Sequence, residues 1–163
     1  MVWFTIALQT LKQLVGAVYR QPDANNDILE YLDTESYPKM SEFGAQSLML
    51  ICDFKVHHQE WLGNRVTDSA GRRALQLANC LDLQQIVTEP TREDQILDLV
   101  LTDLSATATT YAEVGTSDHR PMLVKLDVAV YRDKPYRRMV WSYDKANFWD
   151  MRGHQPHRSS FIN

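Results

Sequence analysis

The sequence predicts an α/β fold of the α+β kind, short strands with a few helices between them. Three observations carry that expectation. Ser47-Leu48-Met49-Leu50-Ile51-Cys52 stays apolar until Asp53, the pattern of a strand covered on both faces. After Asp68-Ser69, residues Ala74, Leu75, Leu77, Ala78 and Leu81 fall on one helical face, with Arg72, Arg73 and Gln76 elsewhere. Elsewhere the chain is a series of short runs of β-formers parted by polar turns.

In chain order, Trp3 to Leu8 is rich in aromatic and β-branched residues, and Leu14 to Tyr19 is a second apolar run. Gln21-Pro22-Asp23-Ala24-Asn25-Asn26 has loop chemistry. Asn26 or Asp27 caps a helix expected through Asp33, with Ile28, Leu29 and Leu32 on one face. Later strands are expected at Gln85 to Val87, Ile96 to Thr102, Thr109 to Val114 and Met122 to Val128. From Tyr131 to Arg138 the chain turns basic and aromatic, and from Met151 to Asn163 it is polar. Residues 1–130 are therefore expected to form the domain. Residues 131–163 are expected to form a linker and tail, with at most a short helix near Tyr143 to Met151.

A chain of 163 residues suits one domain with a real core. The net charge of −4 excludes a globally basic duplex-DNA binder, so DNA contact would need a local patch. Two cysteines, Cys52 and Cys80, make neither a disulfide framework nor a zinc site. Their apolar neighbours suggest buried reduced thiols and an intracellular setting. The first nineteen residues lack a basic start and are interrupted by Gln9, Lys12 and Gln13, unlike a signal peptide or a membrane span.

Polar groups stand at four strand ends: Tyr19-Arg20, Asp53 to His58, Asp98, and Ser117-Asp118-His119. Asp98 is the most informative, a carboxylate inside an otherwise apolar strand. Burial without a donor would cost it several kcal/mol, about the penalty of an unpaired buried charge. His119 is the obvious donor, since a carboxylate holding one ring nitrogen leaves the other to face a substrate. Asp53 could then bind a metal or position a water. Each residue also has a plainer reading. Asp53 could be a turn residue, His57-His58 a satisfied loop pair, Tyr19 a snorkelling side chain and Ser117-Asp118 an ordinary turn.

Together these segments resemble the endonuclease/exonuclease/phosphatase domain (apurinic/apyrimidinic-endonuclease-like) of non-LTR retrotransposons, in its C-terminal portion. Val15 to Pro22 resembles the family's tyrosine-ending strand, and Ile51 to His58 a degraded Gly-Asp-Phe-Asn-x-His-His, with Trp61-Leu62-Gly63 after it. Thr91-Arg92 leading to Ile96 to Thr102 resembles the strand with the buried aspartate, and Gly115 to Pro121 the terminal Ser-Asp-His. Trp141 to Arg152 resembles the segment joining this domain to a reverse transcriptase.

The resemblance implies a partial four-layer α-β-β-α sandwich, the N-terminal half missing, and target-DNA nicking that primes reverse transcription. It implies a divalent ion, Mg2+ or Mn2+, and nuclear action. By position it implies that His119 and Asp98 are a pair and that Asp53 activates water. Tyr19 would hold phosphate, Lys55 and Arg120 would contact substrate, and Asp118 would support the metal region. Two departures imply that the chain is inactive as it stands. Lys55 and Cys52 replace the motif's asparagine and glycine, and the family's metal-binding glutamate has no counterpart here. The alternatives are another phosphodiesterase of the superfamily, and a non-catalytic nucleic-acid-binding module relying on Arg120, Arg137 and Arg138.

Overall fold

A strand that is apolar on both faces must lie inside a sheet, and Ser47–Asp53 does. The computed structural model describes residues 1–21 and 27–128. It contains, in order, β1 (Val2–Ala7), β2 (Lys12–Tyr19), α1 (Asp27–Phe43), β3 (Ser47–Asp53), α2 (Gln59–Leu62) and α3 (Ser69–Cys80). Then come β4 (Gln84–Gln85), β5 (Asp98–Thr102), β6 (Ala106–Thr110) and β7 (Met122–Leu126). The fold is α/β, as the sequence predicts. A five-stranded mixed sheet has the order β1-β2-β3-β5-β4, and β6 and β7 form a two-stranded ribbon. β3 pairs parallel with β2 and antiparallel with β5. No described helix is long and apolar enough to cross a membrane.

The core joins Leu14, Val15 and Val18 of β2 to Leu48, Leu50 and Cys52 of β3 and Leu99 to Leu101 of β5, with Leu29, Leu32, Ala74 and Leu77 from the helices. Met122, Val124 and Leu126 pack on it from the ribbon. α3 keeps the predicted apolar face, but Leu75 is only half-buried. Asp68 caps it by accepting from the Gly71 amide at 2.5 Å. Arg73 ties α3 to Asp33 of α1 at 2.7 Å.

Several boundaries differ from the sequence reading. α1 runs ten residues beyond Asp33, through Pro38. Leu29, Leu32, Ser36, Met40 and Phe43 recur at three- and four-residue spacing and pack inward, and that burial outweighs the proline. β6 lies at Ala106–Thr110 rather than Thr109 to Val114, because Ala106, Ala108 and Thr110 make the inward alternation while Val114 is exposed. β4 is only two residues long and β7 ends at Leu126.

β3 is not wholly covered, since Ile51 is exposed. The register places Val2, Ala17 and Ile51 in one row, and Phe4 and Ile6 share that face with Val2 and are exposed too. Cys80 is also exposed, contrary to expectation, because it ends α3 on the helix's outer side. Cys52 is buried, and burial pushes its thiol pKa well up. The Pro22 to Asn26 part of the predicted loop, the tail from residue 131 with the short helix expected in it, and Arg137 and Arg138 lie outside the described residues.

Candidate active site

The register assembles the site. Tyr19 ends β2 opposite Asp53, which ends β3, and Asp53 lies opposite Asp98, which begins β5. Cross-strand partners share a face, so the three side chains form one row at one end of the sheet. Asp98 is thus the first residue of its strand rather than an interior one. Thr91 explains why: its buried Oγ1 accepts from the Leu97 and Asp98 amides, each at 3.0 Å, just before the β5–β3 pairing begins.

His119 comes to this row from the loop before β7. Its Nδ1 lies 2.8 Å from Asp98 Oδ2, with both side chains largely buried, so the expected pair is present. Its Nε2 faces Asp118 Oδ1 at the longer distance of 3.9 Å. Asp53, Asp98 and His119 together offer three ligand atoms within 4.8 Å of one another. Asp53 Oδ1 is buried and has no hydrogen-bond partner. Burial, and then the negative charge of Asp98, raise the Asp53 pKa above the usual carboxylate value, with Lys55 and His119 opposing. Two carboxylates, one with an orphaned oxygen, beside an imidazole are a donor set that suits a hard divalent cation.

Lys55 stands over this row. Its Nζ is 3.3 Å from the Tyr19 hydroxyl, 3.7 Å from Asp53 Oδ2 and 4.8 Å from the centre of the Tyr19 ring. The hydrogen bond to Tyr19 is the main cause of a raised lysine pKa, with the charge of Asp53 adding to it. Lys55 has φ +49, a left-handed conformation that disfavours most side chains. The backbone around it alternates, with Phe54 and Val56 fully buried while Asp53 and Lys55 reach the site.

The remaining candidates are placed differently. Asp118 pairs with Arg92 at 2.5 Å and stands outside the three-residue cluster. Arg120 donates to the Pro90 carbonyl at 3.3 Å and approaches Glu113 at 3.8 Å. His58 is the N-cap of α2 and accepts from the Trp61 amide at 3.2 Å, so the loop-pair reading fits it. The His57 carbonyl packs against Gly71, where a Cβ would lie 1.9 Å from it, so α3 needs glycine there. Sequence reasoning missed Asn64, a buried amide that accepts from the Ile96 amide at 3.0 Å and donates to the Val56 and Ile96 carbonyls. It ties the segment after β3 to the entry of β5, and Gly63-Asn64 carries no pattern that would have revealed it. Arg92 as the partner of Asp118 was also missed.

No curated protein matches the chain. Among solved structures it is similar to the endonuclease domain of TRAS1, a telomere-specific non-LTR retrotransposon, at TM-score 0.60 and 17% identity. The match covers 78% of this chain and 63% of that one, and at this identity it establishes the fold alone. The family model described as endonuclease-reverse transcriptase matches residues 14–123, and the chain therefore belongs to that family and carries an endonuclease-like domain.

Proposed function

We propose that the row Tyr19–Asp53–Asp98 with His119 is the phosphate-handling part of a metal-dependent DNA endonuclease site, and that Lys55 keeps this chain, by itself, from nicking DNA. The observation that carries the reading is the 2.8 Å contact from His119 Nδ1 to Asp98 beside a second carboxylate with a free buried oxygen. Asp98 orients His119, leaving Nε2 for a phosphate oxygen or a proton transfer. Asp53, with one buried oxygen unpartnered, is placed to accept the proton of an attacking water. The Tyr19 hydroxyl and the Lys55 ammonium attract the phosphate. Asp53 and Asp98 would hold Mg2+ or Mn2+, which would supply Lewis-acid stabilisation of charge on the phosphate. In a full-length element the domain would work beside a reverse transcriptase, in the nucleus.

Lys55 is the reason for expecting inactivity. An ammonium 3.7 Å from Asp53 opposes a divalent ion at the same carboxylates. The test is nicking of supercoiled plasmid with Mg2+ or Mn2+. The chain alone should give none. Lys55→Asn with Cys52→Gly should bring nicking in, in the chain itself or joined to the upstream half of a family endonuclease domain, and adding His119→Ala should abolish it. Metal-dependent nicking by the unmodified chain, lost in His119→Ala, would overturn the inactive reading. Salt-dependent DNA binding with no nicking in any fusion would favour a binding module instead.

A further inference from the structure

Outside the carboxylate row lies a cavity of about 650 Å3, within the range of small-ligand sites. Glu89, Pro90, Thr110, Tyr111, Glu113 and Arg120 line it. The cavity and the site share a support. The Arg120 amide donates to the Thr91 carbonyl at 2.7 Å, and Thr91 Oγ1 holds the amide of Asp98. Arg120 also follows His119 directly, so the cavity lining begins one residue along the chain from the site.

The lining selects a class of ligand. Two carboxylates face one guanidinium, a balance of −1 that repels a phosphate. Glu89 is fixed as an acceptor, taking hydrogen bonds from both the hydroxyl and the amide of Thr110, and these bonds lower its pKa. Tyr111 is anchored through its backbone amide to the Pro121 carbonyl at 2.9 Å, yet the residue remains 52% exposed. An open aromatic ring beside carboxylate acceptors suits a flat group rich in N–H donors, and a nucleobase is such a group.

We propose that this cavity is a subsite for one unstacked nucleobase next to the scissile phosphate, and that guanine fits it best. Guanine offers two adjacent donors, N1–H and the N2 amino group, to a carboxylate. Its O6 and N7 accept from an arginine. Thymine offers a single N–H between two carbonyls, which the carboxylates repel. The subsite rests on the DNA-endonuclease reading above, so its test uses a ligand without phosphate.

Saturation-transfer NMR with 2′-deoxyguanosine, in chelator, reads the subsite directly. The base proton should saturate more strongly than the sugar protons, and thymidine should bind about tenfold more weakly or worse. Tyr111→Ala should weaken deoxyguanosine about tenfold, the order of a lost base–aromatic stack, whereas Tyr111→Phe should retain it. Glu113→Gln should narrow the preference for deoxyguanosine over thymidine. Absence of base saturation, or deoxyguanosine binding that survives Tyr111→Ala, overturns the subsite. Nicking by the fused domain without nucleoside binding overturns the subsite alone. Nucleoside binding in a fused domain that never nicks upholds the subsite and overturns the nuclease reading.

Discussion

Asp98 and Asp53 are cross-strand neighbours on one face of one sheet, and their charges are answered in opposite ways. On the β5 side, Thr91 Oγ1 holds the Asp98 amide and His119 Nδ1 meets its carboxylate at 2.8 Å. On the β3 side, Asp53 keeps one buried oxygen without a partner, and its nearest cation, Lys55, stands at 3.7 Å, beyond a good hydrogen bond. The first region is held in place by the fold itself. The second is held loosely, with an electrostatic cost that an added cation could relieve. A site divided in this way has one carboxylate paired with an imidazole and the other left with an unpartnered buried oxygen.

The comparison breaks most visibly at Thr91. Thr91→Val keeps the shape and removes the acceptor for two backbone amides, each of which costs about 1–3 kcal/mol when buried and unpaired. A loss of about 3 kcal/mol in urea denaturation is expected, with loosening of Asp98 and His119 in NMR spectra. A loss near zero would mean that the β5 side is not fixed as described.

Asp98→Ala tests the pair itself and should cost less. It removes a charge-assisted bond from a largely buried histidine, worth about 1.5–3 kcal/mol. Asp127→Ala is the comparison, because Asp127 accepts from Ser105 Oγ at an exposed position, at 3.1 Å. Equal shifts in the two denaturation midpoints would sink the claim that Asp98 and His119 act as a unit.

Much of this division was legible in the sequence, for a specific reason. The need of Asp98 for a donor follows from a charge in an apolar run, and His119 was the obvious candidate. The match of Tyr19, Asp53 and Asp98 in one row was not legible, because register depends on which strands pair, and β3 pairs with strands on both sides. Boundaries failed where local preference and packing disagreed. A proline at position 38 disfavours the helix that Met40 and Phe43 extend, and alanines hid the strand at Ala106–Thr110. The place of Lys55 between Tyr19 and Asp53 was invisible too, since a left-handed backbone at a lysine has no sequence signature.

The smallest effect separates the two regions most cleanly, through its dependence on pH. The Asp53 pKa is raised in the folded chain, first by burial and then by the charge of Asp98. Below the ordinary aspartate pKa the group is protonated whether the chain is folded or not, and it costs nothing. As pH rises from that value through the raised folded pKa, the unfolded chain ionises more readily, so stability is lost. Above the folded pKa the loss is complete and constant. Asp53→Asn removes the ionisation and should therefore be more stable than the parent at about pH 7 in chelator, with the advantage shrinking towards about pH 4. The lost attraction to Lys55 works the other way, but the upward direction of the shift means that burial and Asp98 prevail. Denaturation midpoints of both proteins across this range decide the matter. A variant less stable at neutral pH, or an advantage independent of pH, would show that Lys55 fully answers the charge of Asp53 and that the two regions do not differ.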